Sequence, residues 1–120
     1  MTIYEQVGGE LFFVDLVKRF YQGVENDPRL RPQYPADLEP GKRHLYLFLV
    51  QYFGGPSTYS EERGHPRLRA RHLPFQIGIV ERDAWVEHMA ASLQQADIDS
   101  EVKLAMLKYF EDAASFLINH

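Results

Sequence analysis

Seven prolines and eight glycines, gathered in clusters, cut the chain into lengths that suit short and medium helices. Gly8-Gly9 closes a small opening turn. Phe13, Leu16, Val17, Phe20 and Val24 then recur at three- and four-residue spacing, which predicts a helix over 10–26. Pro28, Pro32, Pro35 and Pro40 exclude a long helix between 27 and 41, because each ring removes a backbone N–H and crowds the preceding turn. A second stripe, Leu45, Phe48, Leu49 and Tyr52, predicts a helix from about 41 to 53, ended by Gly54-Gly55-Pro56. Residues 57–64 read as a polar loop. His65-Pro66 opens a short helix running to about Leu73, where Pro74 stops it. The longest helices are expected over 77–96 and 99–119. The second has Asp99 or Ser100 as its cap and a stripe of Val102, Met106, Leu107, Phe110, Ala113, Ala114 and Leu117. Phe75 to Ile79 alternates as a strand would, but it has no partner strand and reads as the irregular lead-in to a helix. The expected class is all-α.

Length allows one domain, 1–120, and composition narrows what it does. Hydrophobic residues are 45% of the chain, enough for a real core. Acids outnumber bases 17 to 13, a net charge of −4, which disfavours a globally basic nucleic-acid binder. Cysteine is absent, so disulfides, thiolate metal sites and cysteine nucleophiles are excluded. No basic-then-apolar leader and no run of 18 apolar residues is visible, so a cytoplasmic chain with no membrane contact is expected. Aromatics are the unusual feature, at 13%. Rings in such number pack on each other or around something flat and large.

Of the five histidines, His120 is terminal and His88 is expected to face solvent, while His65 stands where it caps a short helix. His72 is different. It ends a run from Arg63 that holds four arginines and two histidines without one acid, in a helix pinned by Pro66 and Pro74. Such a run is either a solvated face or the seat of a dianionic ligand with an imidazole beside it. Aromatic helices, one pinned histidine and neighbouring arginines together suggest haem. A porphyrin needs apolar walls, its propionates need cationic or hydroxyl partners, and its iron needs an axial imidazole.

These residues also carry a resemblance. Tyr4–Glu10 (YEQVGGE), Arg19–Tyr21 (RFY), Tyr34-Pro35, Gln51–His72 (QYFGGPSTYSEERGHPRLRARH), Pro74-Phe75 and Glu81–Trp85 (ERDAW) resemble the truncated haemoglobins, specifically their second group. The match is spread over nearly the whole chain, and Gly54–His72 is its most specific block. The resemblance implies a two-over-two helical sandwich around haem b, with a vestigial first helix and a loop before the short histidine-bearing helix.

It further implies that His72 is the proximal iron ligand, binding through Nε2 while Nδ1–H donates to a nearby carbonyl or anion. Tyr21, Tyr34 and Trp85 resemble the distal hydrogen-bond donors, which would steady the negative charge that develops on the outer atom of captured dioxygen. Gly41 matches the place where longer globins carry a distal histidine, and Leu45, four residues on, shares its helix side. Arg71 and Tyr59 resemble propionate partners, with Arg69 a weaker one. Leu45, Phe48, Leu68, Phe75, Ile77 and Met89 are candidate pocket walls and equally ordinary core residues. Two departures stand out. The stretch PADLEPGK (35–42) is about one residue shorter than usual. His44 stands where relatives often carry an arginine, leaving it open to a propionate contact when protonated or to a sixth-ligand role. Phe53, where many relatives carry tryptophan, is a conservative swap.

The expected function is reversible binding of dioxygen and other diatomic ligands, CO and NO among them. A crowded, hydrogen-bonding pocket predicts slow oxygen release and a role in NO or peroxide detoxification, or in sensing, rather than bulk oxygen transport. Turnover would draw on an external reductase, because no flavin or nicotinamide module is present. A homodimer is compatible with the chain. The competing reading is a haem-free helical interaction module that docks an acidic partner on Arg63–His72. A zinc hydrolase is weaker, since His65 and His72 lie seven apart with no HExxH.

Overall fold

The computed structural model describes residues 1–120 and is all-helical. Seven α-helices follow in order: α1 Ile3–Gln6, α2 Glu10–Glu25, α3 Glu39–Tyr52, α4 Thr58–Arg63, α5 Leu68–His72, α6 Ile79–Gln94 and α7 Ser100–Phe116. A 3-10 turn, Arg31–Gln33, lies between α2 and α3. The main packing pairs are α2 with α3, α6 with α7, and α2 with α6, which gives two helix pairs laid across each other. Most of the predicted apolar stripe residues lie where the helices meet, but Tyr52, placed in the α3 stripe, is exposed. Phe13, Leu16 and Phe20 of α2, Met89 of α6, and Met106 and Phe110 of α7 are wholly out of water.

Local chemistry explains most boundaries. Thr2 and Glu5 form a reciprocal capping box on α1, and Asp99 caps α7 by accepting from the Glu101 N–H at 3.0 Å. Helix α3 begins at Glu39, two residues ahead of the expected start. Pro40 is tolerated there because a first-turn N–H has no intrahelical partner to lose. Helix α5 begins later than expected, at Leu68, because Arg67 is left-handed (φ 44°) and breaks the run from Pro66. His65 does serve that turn, its Nδ1 accepting from the Arg67 N–H at 3.1 Å.

Two expectations are overturned. Residues 58–63 are helical, not a loop: the Gln51 carboxamide donates to Ser60 Oγ (2.8 Å) and accepts from the Ser60 N–H (3.0 Å), and Tyr59 is buried beneath. His88 does not face solvent. Its Nε2 lies 2.6 Å from Oδ2 of the buried Asp27, and Gly23 leaves the room, since a β-carbon there would collide with the imidazole. No helix is long and apolar enough to cross a membrane.

Candidate functional site

A cavity of about 450 Å³ opens among α2, the 3-10 turn, α3, α4, α5, α6 and α7. Its walls are mostly hydrophobic, with a few convergent polar groups, the usual build of a site for a cofactor-sized ligand. His72, Tyr21, Tyr34, Trp85, Leu45, Gly41, Arg71, Tyr59, His44, Phe48, Leu68, Phe75 and Ile77 all line it.

Two expected residues lie elsewhere. Arg69 projects away, its guanidinium 5.5 Å from the Phe116 ring, because residues two apart on a helix cannot both face one cavity with Arg71. Met89 is wholly buried in the packing of α6 against the rest of the core and touches no part of the cavity surface.

The short helix α5 presents His72 with a defined tautomer. Nδ1 lies 2.6 Å from the Leu68 carbonyl, which can only accept, so Nδ1 carries the proton and Nε2 keeps a free lone pair. The helix itself buries no residue, and its position depends on polar ties. Arg71 donates through Nε to the Pro66 carbonyl (2.9 Å) and through Nη2 to the Arg63 carbonyl (3.2 Å). Beyond the helix, the Asn119 carboxamide donates to the carbonyls of Phe75 (2.8 Å) and His72 (3.3 Å) and accepts from the Ile77 N–H (2.9 Å). Gln33 spans from the 3-10 turn to the Gln76 carbonyl at 2.8 Å.

The aromatic donors come from three other elements. Tyr21 on α2 and Tyr34 after the 3-10 turn meet edge to face, 5.7 Å between ring centres. Trp85 on α6 is wedged between Phe20 (5.2 Å) and Phe110 (5.8 Å). Burial pushes the Tyr21 phenol up to about 12, and Tyr34 is raised further by burial and by its neighbour Tyr21, although the Trp85 indole beside it acts in the opposite sense. Both phenols therefore stay protonated, as O–H donors, throughout the neutral range. Gly41 has a steric reason: a β-carbon there would come within 2.7 Å of the Tyr21 hydroxyl.

At the cationic end, Arg63 is the residue that sequence reasoning undervalued, counting it only as one charge in a run. Its guanidinium lies 5.8 Å from the Tyr59 ring centre, and Nη1 sits against the His44 ring, 2.5 Å from Nδ1 and 2.6 Å from Nε2. A guanidinium only donates, so His44 accepts and is neutral; burial and then the Arg63 cation lower its affinity for a proton. Beside Arg63, His44 is not placed to supply the positive charge, and Arg63 is the cation at this end of the cavity. Arg63 lines the cavity, and its Nε is buried without a hydrogen-bond partner, a costly state for a polar group. With Arg63 and Arg71 facing inward, the basic run is left with Arg67 and Arg69 as exposed cations, which weakens the docking-patch alternative.

These features suit haem: a mostly apolar cavity, one imidazole with a free nitrogen, and a guanidinium with an orphaned N–H for a carboxylate. No group of three His, Asp or Glu side chains gathers that would hold a metal ion alone, so an iron here has to arrive with most of its ligands.

A family model described as bacterial-like globin matches residues 2–116. A group 2 truncated haemoglobin of Bacillus subtilis is 40% identical, covering 97% of this chain and 87% of its own length. Among solved structures, a haemoglobin from the thermophilic phototroph Chloroflexus aurantiacus superposes with a TM-score of 0.98 at 59% identity, covering 100% of this chain and 99% of its own. A truncated oxygen-avid haemoglobin from Bacillus subtilis does so with a TM-score of 0.94 at 39% identity, over 99% of this chain and 100% of its own.

Proposed function

The chain belongs to the bacterial-like globin family, and on that premise we propose that it retains dioxygen tightly for redox chemistry or sensing rather than carrying it in bulk. It is a truncated haemoglobin that binds haem b and small gaseous ligands. The haem supplies a ferrous iron that takes up diatomic gases. The chain's own residues supply the rest.

In this reading His72 holds the iron through Nε2. The Leu68 carbonyl on Nδ1–H supports it, by orienting the ring and increasing the electron density it donates. Arg63, Arg71 and the Tyr59 hydroxyl receive the propionates, with the unpartnered Arg63 Nε as the strongest support. Leu45, Phe48, Leu68, Phe75 and Ile77 wall the disc and exclude water.

The observation that carries tight retention is the trio Tyr21, Tyr34 and Trp85 on the cavity wall, with both phenols held protonated by burial. Hydrogen bonds donated by these groups to captured dioxygen would contribute about 1 kcal/mol each, and more where water is excluded. The description of the Bacillus subtilis relative as oxygen-avid agrees. Slow release leaves time for NO or a peroxide to react, and an external reductase would return the electrons.

Two measurements test this reading. Trp85→Phe should raise the oxygen dissociation rate about tenfold, the loss of about 1.4 kcal/mol; an unchanged rate removes Trp85 from the donor set. His72→Gly should lose the wild-type Soret spectrum and regain it with added imidazole. A variant whose spectrum matches wild type without imidazole would show the iron bound elsewhere.

A further inference from the structure

Asn119 lies outside every stretch that carries the family resemblance and outside the cavity wall, yet its bonds converge on the proximal side of the cavity. Its carboxamide donates to the carbonyls of Phe75 (2.8 Å) and His72 (3.3 Å) and accepts from the Ile77 N–H (2.9 Å). Its own backbone N–H donates to the Ile77 carbonyl at 2.8 Å. His72, Phe75 and Ile77 all line the cavity. None of these bonds returns to α7, so the side chain does not cap the helix it follows.

The proximal segment has few other anchors. The Leu68 carbonyl fixes the tautomer and rotation of the His72 ring, but Leu68 sits one turn back on the same helix and travels with it. Arg71 ties that helix to Pro66 and Arg63, its near neighbours in the chain. Of the hydrogen bonds that join residues 72–77 to segments beyond α5, one comes from Gln33 and the rest come from Asn119 and His120. Gln33 reaches only Gln76, whereas Asn119 takes hold of His72 itself. Helix α7, just ahead of Asn119, is fixed by its buried Met106, Phe110 and Ala114. Asn119 therefore carries position from a packed helix to the main chain of the residue whose Nε2 is free for iron.

We propose that Asn119 is a positioning residue for the proximal iron ligand, holding the His72 main chain so that the iron–histidine bond is set from α7. This rests on the haem-protein reading above and adds to it a residue that acts from outside the cavity. A metal–imidazole bond depends on the distance and tilt at which the chain offers the ring, so freeing the main chain at His72 changes the bond even with the tautomer intact. The role calls for an amide. A carboxamide offers N–H groups for the two carbonyls and an oxygen for the Ile77 N–H. A carboxylate of the same shape keeps the acceptor but sets a negative charge against two carbonyl oxygens.

The test reads the iron–histidine stretching band by resonance Raman in the ferrous, ligand-free, haem-loaded protein. Asn119 is exposed, so its substitution leaves the core untouched. Asn119→Ala should shift the band and speed haem loss to excess apomyoglobin about fivefold, the equivalent of about 1 kcal/mol. Asn119→Asp should shift the band at least as far. The control is the His72→Gly protein filled with free imidazole, whose ring has no tie to the chain. Adding Asn119→Ala there should leave the iron–imidazole band where it was. An unshifted band in either single variant, or an equal shift in the His72→Gly background, would overturn the proposal with the haem reading intact. A chain that takes up no haem, or a His72→Gly protein that imidazole does not restore, would instead overturn the reading on which it rests.

Discussion

Phe20, Met106 and Phe110 lie wholly out of water, whereas none of the five residues of α5 is buried. The two regions are held by different physics. The α2–α6–α7 half interlocks through large apolar side chains, each making many weak contacts that no single polar group could replace. The segment from α4 to the start of α6 has little to bury, so directional bonds hold it: Gln51 to Ser60, Arg71 to the Arg63 and Pro66 carbonyls, and Asn119 to the residues after His72. A cavity must stay open for a large ligand, and the elements around its mouth cannot pack against what is not protein. Polar ties fix such elements without filling the space.

The comparison can be broken from either side. Phe110→Ala should cost about 3–5 kcal/mol of global stability, read as an early urea midpoint, because the hole it leaves is bounded by rigid helices. A cost below about 1 kcal/mol would mean that the packed half is not what holds the fold. Asn119→Ala should cost about 1 kcal/mol, and its effect should be local. Amide exchange should accelerate in residues 72–77 and stay unchanged in α2; uniform acceleration would erase the distinction between the regions.

Acid should separate the two halves by smaller steps. Burial and the Arg63 cation keep His44 neutral, so its contribution is complete above about pH 6.5 and is lost as pH falls below that value. In the packed half, hydrogen bonds from Arg29 and then His88 hold the Asp27 carboxyl well below the usual carboxylate range. Its contribution is complete above about pH 3.9 and is lost only in stronger acid. Hydrogen exchange across a pH series should therefore show the cavity mouth loosening first and global unfolding later. Simultaneous loss would contradict this ordering.

Much of the fold was legible because periodicity and punctuation are local. The stripes of α2 and α7, the Asp99 cap and the breaks at Gly8-Gly9 and Gly54-Gly55-Pro56 all follow from neighbours in the chain. Helix α4 was missed because its support, the Gln51 carboxamide, comes from a different helix. His88 was misplaced for the same reason: its partner, Asp27, is 61 residues away. At the site, residue types and the family pattern named about half of the cavity lining, and most of the residues they named do line it. Arg69 and Arg71, alike in the sequence, parted only when the pitch of α5 turned one inward and the other toward Phe116.

The sequence by itself determined an all-helical chain with an aromatic core and a histidine pinned between prolines, since these depend on spacing and on backbone chemistry within a few residues. Tertiary structure decided which nitrogen of His72 is free, that His44 is an acceptor rather than a cation, and that Arg63 reaches the cavity with an N–H unspent. Those are properties of pairs and of burial. They exist only once distant segments share a dry space, where a charge, a proton or an unmet hydrogen bond carries a cost that water would otherwise remove.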